Sequence, residues 1–334
     1  MIQCTWLGLD FSPLILGAPH KTCRSETMLA NDIVKVTFAN PDNIFSEGEG
    51  RSLLSDAAWQ GSRIRITRDG ETIVDGVVTD GVITRTDCTL DVQSHFTQAF
   101  KTHCNTTLYG TNPATAIREL CLRGGLTTKD IDAESFSRCE TYLRAERVCI
   151  HAVADRQYQT PLLDAINALL EMGNLRAWLD TALHITIVPD APPYAAHILS
   201  RIRASDILGD IHYGTKPTNA VGYSIGHLGD SYGKYPATGG DTHHASEVWT
   251  QQYNAMSQWQ CVDAASAHAI GRIKLSAARR RRTAEITVRD DGTVPLIIGG
   301  IYNIVPWRGN AWLTGYEKEQ GVIKLFFEEV LQRV

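Results

Sequence analysis

The sequence has no Cys-x-x-Cys pair, no apolar stretch long enough to span a bilayer, and no marked excess of either charge. Each absence removes a class of protein. Eight cysteines spread over 334 residues do not make a disulfide scaffold, and most read as reduced, buried thiols acting as small apolar side chains. Without a run of roughly 20 apolar residues there is no transmembrane helix to expect. The opening residues, Met1 to Trp6, lack the basic and apolar regions of a secretory leader, so synthesis in the cytoplasm is the expectation. A formal net charge of −5 exerts no long-range pull on nucleic acid or an anionic membrane. Catalytic signatures are missing as well: there is no Gly-x-Ser-x-Gly, no Walker loop, and no Gly-x-Gly-x-x-Gly following a strand.

What is present is the composition of a folded protein, 43% hydrophobic and 21% charged, in a chain long enough for two or three domains. The first hundred residues read as strands and turns. Residues 33–38 are rich in β-formers and stop at Asn40-Pro41-Asp42. Residues 63–67 alternate apolar and polar, Asp69-Gly70 supplies a hairpin turn, and residues 72–74 return antiparallel. A second Asp-Gly, Asp75-Gly76, precedes residues 77–79. Residues 82–92 predict one long strand with Thr84, Thr86, Cys88, Leu90 and Val92 on one face. Strands at this spacing without a helix between them predict an antiparallel barrel or sandwich.

The middle of the chain changes character. Asn112 before Pro113 predicts a capped helix carrying Ile117, Leu120 and Cys121 and ending at Gly124-Gly125. A second helix begins at Thr160-Pro161, carries Leu162, Ile166, Leu169 and Leu170, and stops at Gly173. The two share the offsets of Ala116-Ile117, Leu120, Gly124 and Leu126 with Ala165-Ile166, Leu169, Gly173 and Leu175, as two capped amphipathic helices will. A hairpin over residues 176–188, turning at Asp180-Thr181, leads to a stiff linker at Pro189 and Pro192-Pro193. Strands then return at residues 219–225, 283–289, 294–305, 311–316 and 322–328, with an alanine-rich helix over 261–275 and an aperiodic exposed loop over 226–246. The fold class is therefore mainly β, with two antiparallel β-barrel-like domains, 1–102 and 201–334, flanking a small helix-plus-hairpin α/β domain, 103–200.

Four cysteines, Cys104, Cys121, Cys139 and Cys149, are weak candidates for a metal or cluster, but their intervals are long and irregular and Cys121 occupies a core position of its helix. His243-His244, near His227, Asp230 and Asp241, fits no metal-ligand spacing and reads as part of a polar interaction loop. Arg279, Arg280, Arg281 and Arg282 form the strongest charge cluster. It reads as a solvated strand edge or as a contact for acidic groups such as Glu328-Glu329, rather than a nucleic-acid site, because no stacking aromatics are interleaved. Phe326 and Phe327 are successive residues of a strand and point to opposite faces, so one of them, like Trp59, is a candidate contact.

The order of these segments resembles the bacteriophage tail-hub (baseplate-hub) family, which includes the late control protein D group. The resemblance lies in the strand and turn ending at Asn40-Pro41, the Asp69-Gly70 hairpin, and the threonine-rich strand ending Leu90-Asp91-Val92. It continues in the helix from Thr160-Pro161 to Gly173, then in Asn219-Ala220-Val221, Gly299-Gly300-Ile301-Tyr302-Asn303-Ile304, Trp312-Leu313-Thr314-Gly315-Tyr316 and the strand over 323–327. It implies a structural, non-enzymatic subunit with no catalytic residue and no cofactor, forming a homotrimeric adaptor between a hexameric tail tube and the tail tip. The implied neighbours are the tail-tube or distal tail protein, the tail-tip or fibre protein, and the tape-measure protein, in a virion tail assembled in the host bacterial cytoplasm. Two alternatives stand beside it: a tail-tip cell-wall hydrolase, since some particles attach such a module to the hub although no segment here resembles one, and the spike subunit of a contractile secretion system, which shares the barrel–insert–barrel plan and whose further β-helical spike is not expected after Val334.

Overall fold

Apolar–polar alternation builds the first unit. In the computed structural model, which describes residues 2–17, 19–24, 29–45, 59–94, 106–154, 161–179, 185–189, 198–216, 220–228, 235–243, 247–251, 259–277, 281–319 and 321–330, this unit contains seven strands. They are β1 (Ile2–Trp6), β2 (Leu9–Asp10), β3 (His20–Arg24), β4 (Leu29–Ala39), β5 (Arg63–Arg68), β6 (Glu71–Ile83) and β7 (Asp87–Ser94). They pair antiparallel in the order β3-β4-β7-β6-β5-β1-β2. Val34, Val36 and Phe38 of β4, Ile64 and Ile66 of β5, and Cys88, Leu90 and Val92 of β7 fill the interior. Trp6, Phe11, Phe38 and Phe45 meet there with ring centroids 5.3–6.1 Å apart, a spacing at which ring pairs add about 1 kcal/mol beyond area burial. Asp69 (φ 52°) and Gly70 (φ 88°) form the expected hairpin turn, since a two-residue turn of this hand needs positive φ at both places.

Two expectations for this unit need correction. Residues 82–92 are not one strand. Thr84 donates its N–H to the carbonyl of Asp87 at 2.8 Å, and Asp87 donates its own to Thr84 Oγ1 at 3.0 Å. The chain therefore turns between β6 and β7, and hydroxyl-to-backbone bonds of this kind compete with the sheet ladder. Asp75-Gly76 lies mid-strand in β6, where Asp75 accepts two hydrogen bonds from Arg63 at 2.7 and 2.8 Å.

The central unit adds β8 (Thr106–Thr111), α1 (Pro113–Arg123), α2 (Ala133–Ala145), β9 (Ile150–Ala154), α3 (Leu162–Gly173), β10 (Leu175–Leu179) and β11 (Ile185–Pro189). Asn112 Oδ1 accepts from Thr115 N at 3.0 Å to cap α1, and α3 ends on Asn174 in the left-handed region (φ 49°). Helix α2 is unforeseen in the sequence reading. Asp132 caps it through Glu134 N and Ser135 N, both at 3.2 Å, while Phe136, Cys139 and Leu143 face the core. It docks on β11 through Ser135 Oγ, which accepts from Ile187 N at 3.2 Å.

Further along the chain lie β12 (Ile198–Ile202) and β13 (His212–Lys216), then β14 (Gly222–Ile225), β15 (Ala237–Gly240), β16 (Val248–Gln251), β17 (Trp259–Cys261) and α4 (Ala264–Ala277). Strand β15 lies inside the span expected to be loop; it pairs with β14, which also pairs with β16. Tyr223, Ile225, Ala237, Cys261, Ala267 and Ile270 share one core with α1, α2 and α3. β14, β15, β17 and α4 thus contribute to the core of the central unit although they follow the first strands of the second barrel. That barrel is completed by β18 (Arg281–Arg289), β19 (Ile301–Ile304), β20 (Gly309–Glu319) and β21 (Val322–Glu329). Only the end of the span 294–305 is strand.

The second barrel repeats the first. Its strands run β13-β18-β21-β20-β19-β12, which is the order β3-β4-β7-β6-β5-β1 with each member replaced by its counterpart. Register agrees residue by residue. Phe38, Val36 and Val34 face Cys88, Leu90 and Val92 as Val288, Ile286 and Ala284 face Ile323, Leu325 and Phe327. Ile64 and Ile66 face Gly76 and Val74 as Tyr302 and Ile304 face Ala311 and Gly309. The lead-in segments share the pattern Ile-Leu-Gly-x-x-His: Ile15-Leu16-Gly17-Ala18-Pro19-His20 and Ile207-Leu208-Gly209-Asp210-Ile211-His212. Ile15 bridges Phe38 and Ile207 bridges Val288. Leu16 N donates to Thr37 O at 2.8 Å and Leu208 N to Thr287 O at 2.7 Å. Gly17 and Gly209 sit at φ 76° and 79°, where a side chain would strain the turn. One difference stands out: β1 pairs antiparallel with β5, whereas β12 pairs parallel with β19.

Among the described residues one strand pair joins the barrels. The far half of β20 pairs antiparallel with β3, from Gly315 opposite Arg24 to Lys318 opposite Lys21, so the two form one continuous sheet, fifteen-stranded among the described residues. The central hairpin ties this seam down. Strand β10 pairs parallel with the start of β4, and Arg176 places its guanidinium 5.0 Å from the Trp312 ring centroid and 3.6 Å from Glu328.

Candidate assembly surfaces

The residues singled out in the sequence do not converge on one point. Cys121 and Cys139 lie in the central core, Cys149 is half-buried at the start of β9, and Cys104 lies outside the described residues. Burial raises the Cys121 thiol well above its ordinary value and pushes Cys139 up to about 12, so neither is a ready thiolate ligand. Cys139 instead donates a weak hydrogen bond to Ile187 O at 3.5 Å. No group of three His, Cys, Asp or Glu residues among those described is placed to share a metal ion.

Trp59 is half-buried and packs on the first barrel's core, close to Gly81. Phe327 is 1% exposed inside the second barrel, so it is core, and its neighbour Phe326 points the other way, with Lys324 Nζ 5.2 Å from its ring. Of the arginine cluster, Arg279 and Arg280 lie outside the described residues and Arg281 opens β18. Arg282 finds its acidic partner within the chain: Nε and Nη2 donate to Glu329 Oε1 at 3.0 and 2.5 Å. That contact holds the Glu329 carboxyl below the usual carboxylate range. The Arg282 guanidinium also lies 5.3 Å from the Trp307 ring, which Tyr213 meets edge-on at 6.5 Å. His243 is exposed, its backbone N–H bonded to Asp241 Oδ1 at 3.0 Å; His244 falls outside the described residues.

Several exposed apolar positions escaped the sequence reading, Val82 and Tyr213 among them. Val82, near the end of β6, is 66% exposed, and Tyr213, on β13, is 59% exposed. Both belong to strands, where a period of two gives no sign of which face a partner covers. A shallow depression lined by Ile207, Asp210, Ile211, Tyr213 and Pro306 lies beside β13. No helix among the described residues is long and apolar enough to cross a membrane.

Two barrels of one strand order, fused by a strand pair and braced by a small α/β unit, define a class of β-rich scaffold whose architecture is repeated within the chain. This is the fold of phage tail proteins. A tail protein from Neisseria meningitidis MC58 superposes with a TM-score of 0.62 at 10% identity, covering 98% of this chain and 96% of its own. The 43 kDa tail protein of prophage MuSo2 from Shewanella oneidensis gives 0.59 at 11% identity, with 99% and 98% covered. Prophage tail protein gp18 from Listeria monocytogenes EGD-e gives 0.54 at 11%, with 98% and 94% covered. No protein-family model and no curated protein matches the sequence.

Proposed function

We propose that this chain is a structural tail-hub subunit of a bacteriophage or phage-like particle, three copies of which join a hexameric tail tube to the tail tip. The observation that carries this reading is the shared strand order and register of the two barrels. A sixfold tube offers six identical surfaces, and three chains with two equivalent barrels each present six in return. A ring of this kind uses head-to-tail contacts that close by rotation. The partners in this reading are other copies of the chain, the tail-tube or distal tail protein above, the tip or fibre protein below, and the tape-measure protein in the lumen. The place of action is the virion tail. The chain acts as a scaffold without catalysis; His243, Arg282 and Phe326 are surface contacts, while Trp59 and Phe327 serve their own cores.

Light scattering after size exclusion, across a concentration series, tests the reading. A trimer, or a monomer that trimerises as concentration rises, is expected. A stable dimer overturns the proposal, because two chains supply four barrels and cannot match a sixfold tube. Incubation with purified peptidoglycan should release no soluble fragments; release would return a cell-wall hydrolase to consideration.

A further inference from the structure

The seam inside the chain has a register that can be mapped from one barrel to the other. Inside one chain, β3 of the first barrel receives the far half of β20 from the second, with Gly315, Tyr316, Glu317 and Lys318 opposite Arg24, Cys23, Thr22 and Lys21. By the register of the two barrels, β3 corresponds to β13, since Lys21, Thr22 and Cys23 face Val34, Ile33 and Asp32 as Tyr213, Gly214 and Thr215 face Ala284, Thr283 and Arg282. Likewise Asp80, Gly81, Val82 and Ile83 face Asp91, Leu90, Thr89 and Cys88 as Gly315, Tyr316, Glu317 and Lys318 face Phe326, Leu325, Lys324 and Ile323. The counterpart of the occupied seam is therefore the end of β6 against the outer edge of β13.

Within one chain that second seam is empty among the described residues. Strand β13 pairs with β18 alone, and the pairing of β6 with β5 stops at Val77. Val78 then bonds Gly61 and Ser62, and beyond it the edge of β6 that faced β5 has no described strand beside it, while the other edge stays paired with β7 as far as Ile83. The apolar residues on these two edges are also among the most exposed: Val82 at 66% and Tyr213 at 59%. At the occupied seam the counterpart of Gly81, Tyr316, is 3% exposed. An open edge carrying apolar side chains is a template for another strand, and main-chain pairing at such an edge is a recurrent mode of protein association.

We infer that β6 of one copy adds antiparallel to β13 of the next, in the register Ile83–Tyr213, Val82–Gly214, Gly81–Thr215 and Asp80–Lys216. The contact is continuous with the seam inside each chain, so first and second barrels alternate around the ring with equivalent joints. Gly214 fits this role: the position opposite Val82 has no side chain, and a Cβ there would lie 2.6 Å from Thr283 Oγ1. An acidic residue meets a basic one at the Asp80–Lys216 position. The number of copies rests on the hub reading, while the joint itself follows from the duplication.

Cross-linking tests this directly. Ile83→Cys and Tyr213→Cys chains are mixed and oxidised. A reducible covalent dimer should form in the mixture and in neither variant alone, and the double variant should give covalent species up to trimer and no higher. A trimer by mass without an 83–213 cross-link overturns the strand pairing and leaves the hub reading standing. A chain that stays monomeric at its highest soluble concentration overturns both. Val82→Lys provides an independent check: Val82 is exposed in the single chain, so thermal stability at low concentration should hold while trimer formation is lost. Unchanged trimerisation in that variant argues against the joint.

Discussion

Thr79 and Thr314 occupy the same place in the two barrels. Each is the extra residue of a β-bulge, in β6 between Val78 and Asp80 and in β20 between Leu313 and Gly315. The Thr79 hydroxyl donates to Asp91 O at 3.2 Å, and the Thr314 hydroxyl donates to Phe326 O at 3.1 Å. Asp91 and Phe326 are themselves counterparts. A bulge leaves its extra residue out of the ladder and increases the local twist, and here the same hydroxyl bond pins it both times. These bulges precede the residues that form the occupied seam on β20 and its proposed equivalent on β6, so they aim both strand ends.

Removal of either hydroxyl should therefore have a similar effect. Thr79→Val and Thr314→Val keep the β-branched shape and lose one hydrogen bond, for an expected cost of about 1 kcal/mol each. Chemical denaturation measures both. If the bulges aim the seam strands, each variant should also weaken trimer formation more than its loss of stability accounts for.

Gly76→Ala should be more damaging than its conservative look suggests. A Cβ at this mid-strand position would stand 2.2 Å from the Gln93 carbonyl oxygen and 3.0 Å from Val92 Cγ1. The obstacle is backbone, which cannot rotate away. Ordinary glycine-to-alanine replacement gains up to about 1 kcal/mol by restricting the unfolded chain, whereas overpacking costs roughly 1–3 kcal/mol. Net destabilisation by 1 kcal/mol or more is expected in a urea titration, and a neutral or stabilised variant would contradict the strand register around Gly76.

The same glycine shows why part of the fold was legible and part was not. Asp75-Gly76 and Asp69-Gly70 are identical dipeptides, yet only the second turns, because tertiary pairing decides between them. Alternation at Ile64 and Ile66 and at Ala284, Ile286 and Val288 marked strands plainly, since one face of each is buried. The break at Thr84–Thr86 was hidden by residues that favour strands, and helix α2 by a short polar stretch whose cap is Asp132. The duplication was hardest to see. Its visible traces are Ile-Leu-Gly-x-x-His, written twice, with Thr79 matching Thr314 and Leu90 matching Leu325. The segments inserted between strands differ in length in the two barrels, so no single period relates them. The equivalence lives in which residues face each other. Of the candidate contacts, Arg282 and His243 reached the surface as their charge and polarity suggested. Val82 and Tyr213 were missed, because exposure on a strand edge leaves no mark in composition.

Helix α4 offers a pH-dependent test of its placement. Asp263 Oδ1 accepts from Ser266 N at 2.7 Å at the helix start, and that backbone bond holds its carboxyl below the ordinary value, with His227 adding to the effect. A carboxyl with a depressed folded-state value contributes stability above its unfolded value, near 3.9, and loses that contribution as pH falls through the folded value. Asp263→Ala should cost about 1 kcal/mol at neutral pH, as loss of a cap does. Asp263→Asn retains the acceptor and should fall between. The gap between wild type and Asp263→Asn should close below about pH 4, read from urea midpoints at several pH values.

The brace between central unit and second barrel gives the last test. Arg176 and Glu328 have side chains 12% and 10% exposed, and the guanidinium also lies against the Trp312 ring. Taking both charges out of water is costly, so such a pair adds little net stability over a well-packed apolar pair, whereas removing one partner takes away a charge that offsets the burial of the other. Arg176→Ala should thus destabilise by about 3 kcal/mol. The double variant Arg176→Met, Glu328→Leu should recover most of that loss in thermal or chemical unfolding. Recovery would assign the pair to orientation of the hairpin against the seam rather than to stability as such. If the double variant instead loses as much as Arg176→Ala, the ion pair or the cation–ring contact is a true source of stability, and the desolvation argument fails at this site.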